Sequence, residues 1–463
     1  MRTGVGARSP VRRPPMPAML TLILTLLASI AFAPSALADP LHPDEPTLAR
    51  RGVLGVQLGY ADGDARGVAI AGLIPGGAAE RAGVLAGDRI TAINDHPTPT
   101  HQALSDALRH GAEGQALQLT LWRQGETITR PVTLARRALE LPGTTTTYGE
   151  VMTHHGYAVR SILTRPDDAD GPLPAVFFIQ GISCGSMDAT TIADRGLLKC
   201  IQDVARAGYA VFMVDKPGVG DSAGPPCDEY GFDEEMQAFR AALTTLKSHP
   251  DIDPSRVFLV GISMGGIQAP LLAAEQDVAG VVVFGTGFVP WTEYMIANVR
   301  RQAALTGANA AQLNLVADAY AKFWSLLLYA RLHPSEILDR HPDLAQYGFQ
   351  PTDSVSAGRS VRFFTELHDS QWANAWSLVE THVLAIHGSY DFVCDRRDHE
   401  WIVEVINTLN PGKAEFFSAD RMCHGMTVWE SERQAIRSGM GTGEPSDAAT
   451  EAMLAFFERA GGK

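Results

Sequence analysis

The chain changes its hydrophobic rhythm near residue 140. Before that point, short segments alternate apolar and polar positions. "GVAIAGL" over 67–73 and "ALQLTLW" over 116–122 each place their apolar residues on one face, as half-buried strands require. "AERAG" supplies a single helical turn stopped by Gly83, and "AGDRITAIN" restarts a strand after a Gly-Asp turn. Residues 101–109 carry the one longer helical pattern of this region. After residue 145 the strands stop alternating. "AVFFIQG", "AVFMVD", "RVFLVG", "GVVVFG" and "HVLAIHG" are continuous apolar runs, separated by helical segments such as "LLKCIQDVARAG", "DEEMQAFRAALTTLKSH" and "GGIQAPLLAAEQ". Strands buried on both faces and spaced by helices predict a mostly parallel sheet with helices on both sides. Between the two regimes, "LPGTTTTYG" reads as a short threonine-rich joint.

Ahead of both regions, Arg2, Arg8, Arg12 and Arg13 precede the apolar run "AMLTLILTLLASIAFA" and then "PSALADP", with small Ala36 and Ala38. This pattern predicts an export signal over 1–38, cleaved after Ala38, and a periplasmic or secreted protein. No cysteine lies there to carry a lipid, and no stable membrane insertion is expected after cleavage. Loss of four arginines and no acid would take the net charge from −14 to about −18, which argues against nucleic acid as a partner. Five cysteines in an oxidising compartment allow two disulfides and one leftover thiol.

The alternating region, 50–136, forms the first domain. Its "PGGAAERAGVLAGDRITAIN" and the "VLGV" at 53–56 resemble a PDZ domain of the bacterial type. The resemblance implies that backbone N–H groups of Leu54, Gly55 and Val56 receive a peptide's C-terminal carboxylate. The peptide would lie as an added strand beside the helix containing Leu104 and Leu108. The other reading of this module is a fixed cover that binds no free peptide.

The second domain, 145–463, turns on Ser263. "RVFLVG" is a buried strand, "MGGIQAPLLAAE" a helix, and the serine is the turn between them, flanked by Gly261 and Gly265. Gly-x-Ser-x-Gly in that setting is a nucleophile elbow, which exposes the hydroxyl above the sheet. A serine needs a base, and the base needs an orienting acid. Asp391 follows the strand "HVLAIHG", and His424 follows the later strand in "AEFFSADRMCHGM". Asp395 and His387 are rivals. Asp395 falls at the start of the next helix, and His387 precedes a glycine at a strand end, where histidines are commonly structural.

Together "GISMGG", "HGSYDFV", "CHGM" and "DKPGVGDS" resemble the α/β-hydrolase superfamily, most of all its carboxylesterase branch and dipeptidyl-peptidase-like relatives. The resemblance implies an α/β-hydrolase fold, with a helical cap inserted at about 287–375. It also implies an oxyanion hole made by the N–H groups of Ile182 and Met264. Many relatives carry histidine where this chain has Gln180. Trp291, Tyr320, Phe323, Trp324, Trp372 and Trp376 are candidates to line a pocket in the cap, although helix packing accounts for most such residues.

The expected activity is cleavage of carboxylic esters by Ser263, His424 and Asp391 through an acyl-enzyme. The ligands would be a small-molecule ester and, at the PDZ domain, peptide C-termini. No cofactor or metal is implied, because neither a metal-ligand spacing nor a phosphate loop occurs. The alternatives are a serine peptidase that uses the PDZ domain to hold its substrate, and a binding protein with an idle hydrolase domain. Because the acid and base loops must meet, a disulfide between Cys394 and Cys423 is expected, and secondarily one between Cys184 and Cys227.

Overall fold

The computed structural model of the chain describes residues 48–59, 66–74, 76–108, 111–135, 141–169, 171–188, 195–438 and 443–461. The expected export signal, 1–38, and its expected cleavage site lie outside the described residues. Among the described residues, no helix is long and apolar enough to cross a membrane.

The N-terminal region is an antiparallel sheet of β1 (Val56–Leu58), β2 (Val68–Leu73), β3 (Arg89–Ile93), β4 (His96–Pro97), β5 (Ala116–Arg123) and β6 (Glu126–Thr133). The order is β1-β2-β3-β5-β6, with β4 paired to β3. Alternation sets which face is buried: Leu117, Leu119 and Leu121 of β5 point inward, onto Ile70, Ile90 and Leu104. Two helices, α1 (Ala78–Arg81) and α2 (His101–Leu108), close this core.

The second domain is built on eight strands. These are β7 (Thr144–Met152), β8 (Ala158–Pro166), β9 (Leu173–Ile179), β10 (Ala210–Val214), β11 (Ile252–Ile262), β12 (Gly280–Phe284), β15 (His382–Gly388) and β16 (Ala414–Ala419). Their order is β16-β15-β12-β11-β9-β10-β8-β7. Pairing is parallel from β16 to β10 and antiparallel at β8 and β7. The threonine-rich joint is therefore a correction: Thr144–Met152 is an edge strand. Threonine is β-branched and suits a pleated edge, and Thr146 meets Thr164 across the pair at 2.8 Å.

Both faces of this sheet are covered, which explains the continuous apolar runs. Along β11, Val257 and Leu259 enter one core while Phe258, Val260 and Ile262 enter the other. Helices α4 (Phe232–Lys247), α5 (Met264–Ala273) and α10 (Arg396–Leu409) cover the first face. Helices α3 (Arg195–Arg206) and α12 (Asp447–Ala460) cover the second. Between β12 and β15 the chain leaves the sheet to form the cap: α6 (Trp291–Thr306), α7 (Ala310–Leu328), α8 (Pro334–Arg340), a hairpin of β13 (Ser354–Ser356) and β14 (Arg359–Ser360), and α9 (Val361–Asp369). Past β16, the short β17 (Thr427–Val428) and β18 (Glu444–Pro445) flank α11 (Glu432–Ser438).

The two domains pack together through Arg50. Its guanidinium stacks 3.5 Å from the Tyr148 ring centroid and pairs with Asp188 at 2.6 Å and Asp221 at 3.1 Å. Asp221 also pairs with the buried Arg160 at 3.3 Å.

Candidate active site

Ser263 caps α5 in a conformation that L-residues avoid, with φ +56° and ψ −119°. The backbone is held there by its own N–H donating to Phe284 O at 2.9 Å and by Gly266 N–H donating to its carbonyl at 2.9 Å. The flanking glycines are obligatory. A Cβ on Gly261 would meet Gly265 O at 2.3 Å, and one on Gly265 would meet Ile179 O at 2.1 Å.

Asp391 and His424 come from loops that follow the neighbouring strands β15 and β16. Asp391 is buried. Its Oδ2 accepts from His424 Nδ1 at 2.9 Å, and its Oδ1 accepts the N–H groups of Val393 at 2.8 Å and Cys394 at 2.9 Å. Burial alone would raise its pKa, but His424, the Cys394 N–H and His387 outweigh burial and hold it at about 2. The contact to Asp391 uses Nδ1 of the imidazole. His424 and Ser263 line the same pocket, of about 150 Å³, together with Ile182 and Met264. Of the six aromatic candidates, Trp291 and Trp372 line it. Phe323, Trp324 and Trp376 are packed in the core.

The rivals take other roles. Asp395 is the N-cap of α10, accepting from Arg397 N–H at 3.0 Å and pairing with Arg301 at 2.8 Å. His387 lies 3.4 Å from the Cys394 carbonyl through Nε2. His399, which carries no motif, anchors the loop after β12: its Nδ1 faces Asp395 O at 2.9 Å, and its Nε2 accepts Thr286 N–H at 3.1 Å. Burial, with His387 adding to it, pulls its pKa down to about 4. A neutral ring is thus required, and its stability contribution is complete above about pH 6.5, the ordinary histidine value. It is lost as pH falls from there toward 4. Asp215 and Asp398, pushed by burial up to about 7, act in the opposite sense. Urea unfolding of wild type and His399→Gln at pH 7.5 and 5 is therefore compared. The variant is expected to lose less stability on acidification, and equal losses would refute the role of His399.

The expected Cys394–Cys423 bridge is not formed. Both cysteines are buried and neither is in a disulfide. The loops do meet, Tyr390 N–H donating to Met422 O at 3.0 Å, but their side chains diverge. Cys394 Sγ donates to Gly285 O at 2.8 Å, whereas Cys423 Sγ sits 3.2 Å from Thr427 Oγ1, among Phe392, Trp429 and Ala435. The second pairing is present: Cys184 and Cys227, with Cα atoms 6.1 Å apart, join the loops after β9 and β10. Their separation of 43 residues corresponds to about 4 kcal/mol in the chain-entropy estimate.

Ligand atoms of Asp391, Cys394 and His424 lie within 4.8 Å of one another. Each is already committed to a hydrogen bond, His424 with Asp391 and the thiol to Gly285, so the trio is an acid–base pair beside a thiol and not an open metal cage.

In the first domain, Leu54, Gly55 and Val56 line a cavity of about 370 Å³ with Leu104 and Leu108 of α2. Its other wall belongs to the second domain, at Ser186, Asp188 and Asp221. Gly55 adopts φ +78°, its carbonyl taking Ile74 N–H at 3.0 Å, and Leu54 O takes Ala79 N–H at 2.8 Å.

A family model described as "Serine aminopeptidase, S33" matches residues 196–432, and one described as "PDZ domain" matches 70–123. Among curated proteins, the chain is similar to polyketide transferase ATR5 of Stachybotrys chlorohalonatus, with 29% identity over 112 residues, 24% of this chain and 37% of that protein. It is also similar to YtaP of Bacillus subtilis, a hydrolase by name, with 30% identity over 136 residues, 26% of this chain and 45% of that protein. The chain thus spans less than half the length of these curated relatives. Among solved structures it is similar to Est1E of Butyrivibrio proteoclasticus with ferulic acid bound, at 15% identity and a TM-score of 0.44, covering 68% of this chain and 99% of that one.

Proposed function

Because the chain belongs to the serine aminopeptidase S33 family of α/β-hydrolases, with a PDZ domain ahead of it, we propose that it is an exported serine esterase acting on small carboxylic esters. The observation that carries this reading is the buried Asp391–His424 pair opening onto the same pocket as a strained, glycine-flanked Ser263. Ser263 Oγ attacks the acyl carbon while His424 Nε2 takes its proton. The N–H groups of Ile182 and Met264 receive the oxyanion, and the N-terminal field of α5 favours it. His424 then protonates the leaving alcohol. Asp391 stabilises the imidazolium, and water, activated by the same histidine, releases the acid.

An ester is favoured over an N-terminal peptide by the pocket's chemistry. An aminopeptidase needs a carboxylate to pair the substrate's ammonium group, and among the described residues lining this pocket there is none. Ile182, Ile267, Val289, Trp291 and Trp372 make it apolar and suited to a short acyl group. The Cys184–Cys227 disulfide supports export. The peptidase reading draws on the PDZ cavity, where Leu54, Gly55 and Val56 would take a peptide carboxylate.

Purified protein lacking residues 1–38 is expected to hydrolyse p-nitrophenyl butyrate and to leave aminoacyl-p-nitroanilides essentially uncut. Preference for the anilides would replace the esterase by the peptidase. Inertness toward both would leave a binding protein.

A further inference from the structure

Behind the loop that carries Ile182 lies a buried charge cluster that the catalytic groups above do not include. Glu235 of α4 is wholly buried between two cations that are themselves wholly buried. Lys216, on the loop after β10, lies 3.2 Å from its Oε1, and Arg359, from the cap hairpin, pairs with Oε2. Gln268 of α5 donates to Oε1 at 2.7 Å, and Tyr230 OH donates to Oε2 at 3.2 Å. Burial would push the Glu235 carboxyl up, but Arg359 and then Lys216 hold it below its ordinary value.

Both cations also reach the backbone of one short loop. Lys216 Nζ donates to Gly181 O at 2.5 Å and to Ser183 O at 3.2 Å. With Glu235, these make three acceptors for three ammonium hydrogens. Arg359 Nε donates to Ile182 O at 3.0 Å. In a planar trans peptide the carbonyl and the following N–H point in opposite directions. Anchoring Gly181 O on Lys216 therefore turns Ile182 N–H the other way. Gly181 lies against Ser263, a Cβ there meeting Ser263 Cβ at 3.1 Å, and Ile182 lines the pocket with Ser263, so an N–H turned away from Lys216 has the pocket within reach.

We infer that Lys216 and Arg359, which share the single carboxylate of Glu235, are positioning residues that aim the Ile182 N–H at the oxyanion by holding the carbonyls of Gly181, Ile182 and Ser183. This rests on the serine-hydrolase reading above. It gives the cap a part in the chemistry besides shaping the pocket, since Arg359 belongs to the cap, and it makes the hole depend on cap seating. The Cys184–Cys227 disulfide ties the far end of "QGISCGS", and the cations hold the peptide units of Gly181, Ile182 and Ser183 within it.

The test uses a fluorophosphonate probe, whose phosphoryl oxygen must enter the hole for Ser263 to react, alongside steady-state kinetics on p-nitrophenyl butyrate. Lys216→Met leaves the Arg359–Glu235 pair balanced and is expected to keep the thermal midpoint within a few degrees. The fluorophosphonate rate and kcat are expected to fall on the order of 10²-fold, as for a misaimed or missing oxyanion donor, with KM changed less than about threefold. Arg359→Met is expected to act in the same direction, and Lys216→Gln, which retains a donor, to recover part of the loss. These two variants also carry the test if Lys216→Met does not fold. Folded variants with wild-type fluorophosphonate rates, or with KM raised and kcat unchanged, would overturn the inference and leave the serine-hydrolase reading intact. A wild-type protein inert to the fluorophosphonate would overturn both.

Discussion

Ser263→Ala and His424→Ala are each expected to lower the rate of p-nitrophenyl butyrate hydrolysis by about 10⁶-fold, and the double variant to be no worse than either. The non-additivity follows from the arrangement. A proton acceptor without a nucleophile, and a nucleophile without an acceptor, are equally idle. Ser263→Ala should disturb folding little, whereas His424→Ala removes the main partner of the buried Asp391 carboxylate and is expected to lower the thermal midpoint. Alanine at 263 keeps the Cβ and therefore the same backbone strain at φ +56°, and the neighbours of Asp391 are undisturbed by loss of the serine hydroxyl. The measurement is kcat, with the thermal midpoint as control. A residual rate within tenfold of wild type in Ser263→Ala would rule out Ser263 as nucleophile.

The second large effect separates the two aspartates. Asp391→Asn is expected to cost about 10⁴-fold in kcat, as when a histidine is locked in the wrong tautomer. The reason lies in the partners. Oδ1 of Asp391 takes two N–H groups, from Val393 and Cys394, so an asparagine will place its carbonyl there. Its amide nitrogen then faces His424 Nδ1, which must accept, and the imidazole proton moves to Nε2, where it blocks removal of the serine proton. Asp395→Asn should change kcat less than about twofold. Asparagine caps a helix as well as aspartate does, and the partly exposed pair with Arg301 is worth under about 1 kcal/mol. The reverse ranking of the two variants would reassign the acid.

The fold was legible because both sheets announce themselves in the chain. Alternation in "ALQLTLW" marks a sheet with one wet face, and the unbroken "RVFLVG" marks one with none. The position of Ser263 could be read because it directly follows an apolar run, and those of Asp391 and His424 because each lies on the loop after a strand. The threonine-rich joint misled because polar β-branched residues look like linker when they form an exposed edge strand. The cysteine pairing failed at finer grain. Topology brings two loops together, but whether Cys394 turns toward Cys423 or toward Gly285 depends on side-chain direction, which spacing does not encode. Lys216 lies inside "DKPGVGDS", but nothing in the spacing joins it to Glu235 and Arg359. The three come from a loop, a helix and the cap hairpin, and only burial identifies them as a unit.

The crowding around Ser263 also bears on how this fold can diversify. Substitutions at Gly261 and Gly265 run into backbone atoms, which cannot step aside, so both positions are closed to every other side chain. A lineage exploring new substrates cannot retune the nucleophile's turn by small steps. The variation that selection can use is channelled to the rest of the pocket, which Trp291, Val289 and Trp372 also line. The catalytic frame is inherited as a fixed part, and the insertion above it is where one member of the lineage can come to differ from the next.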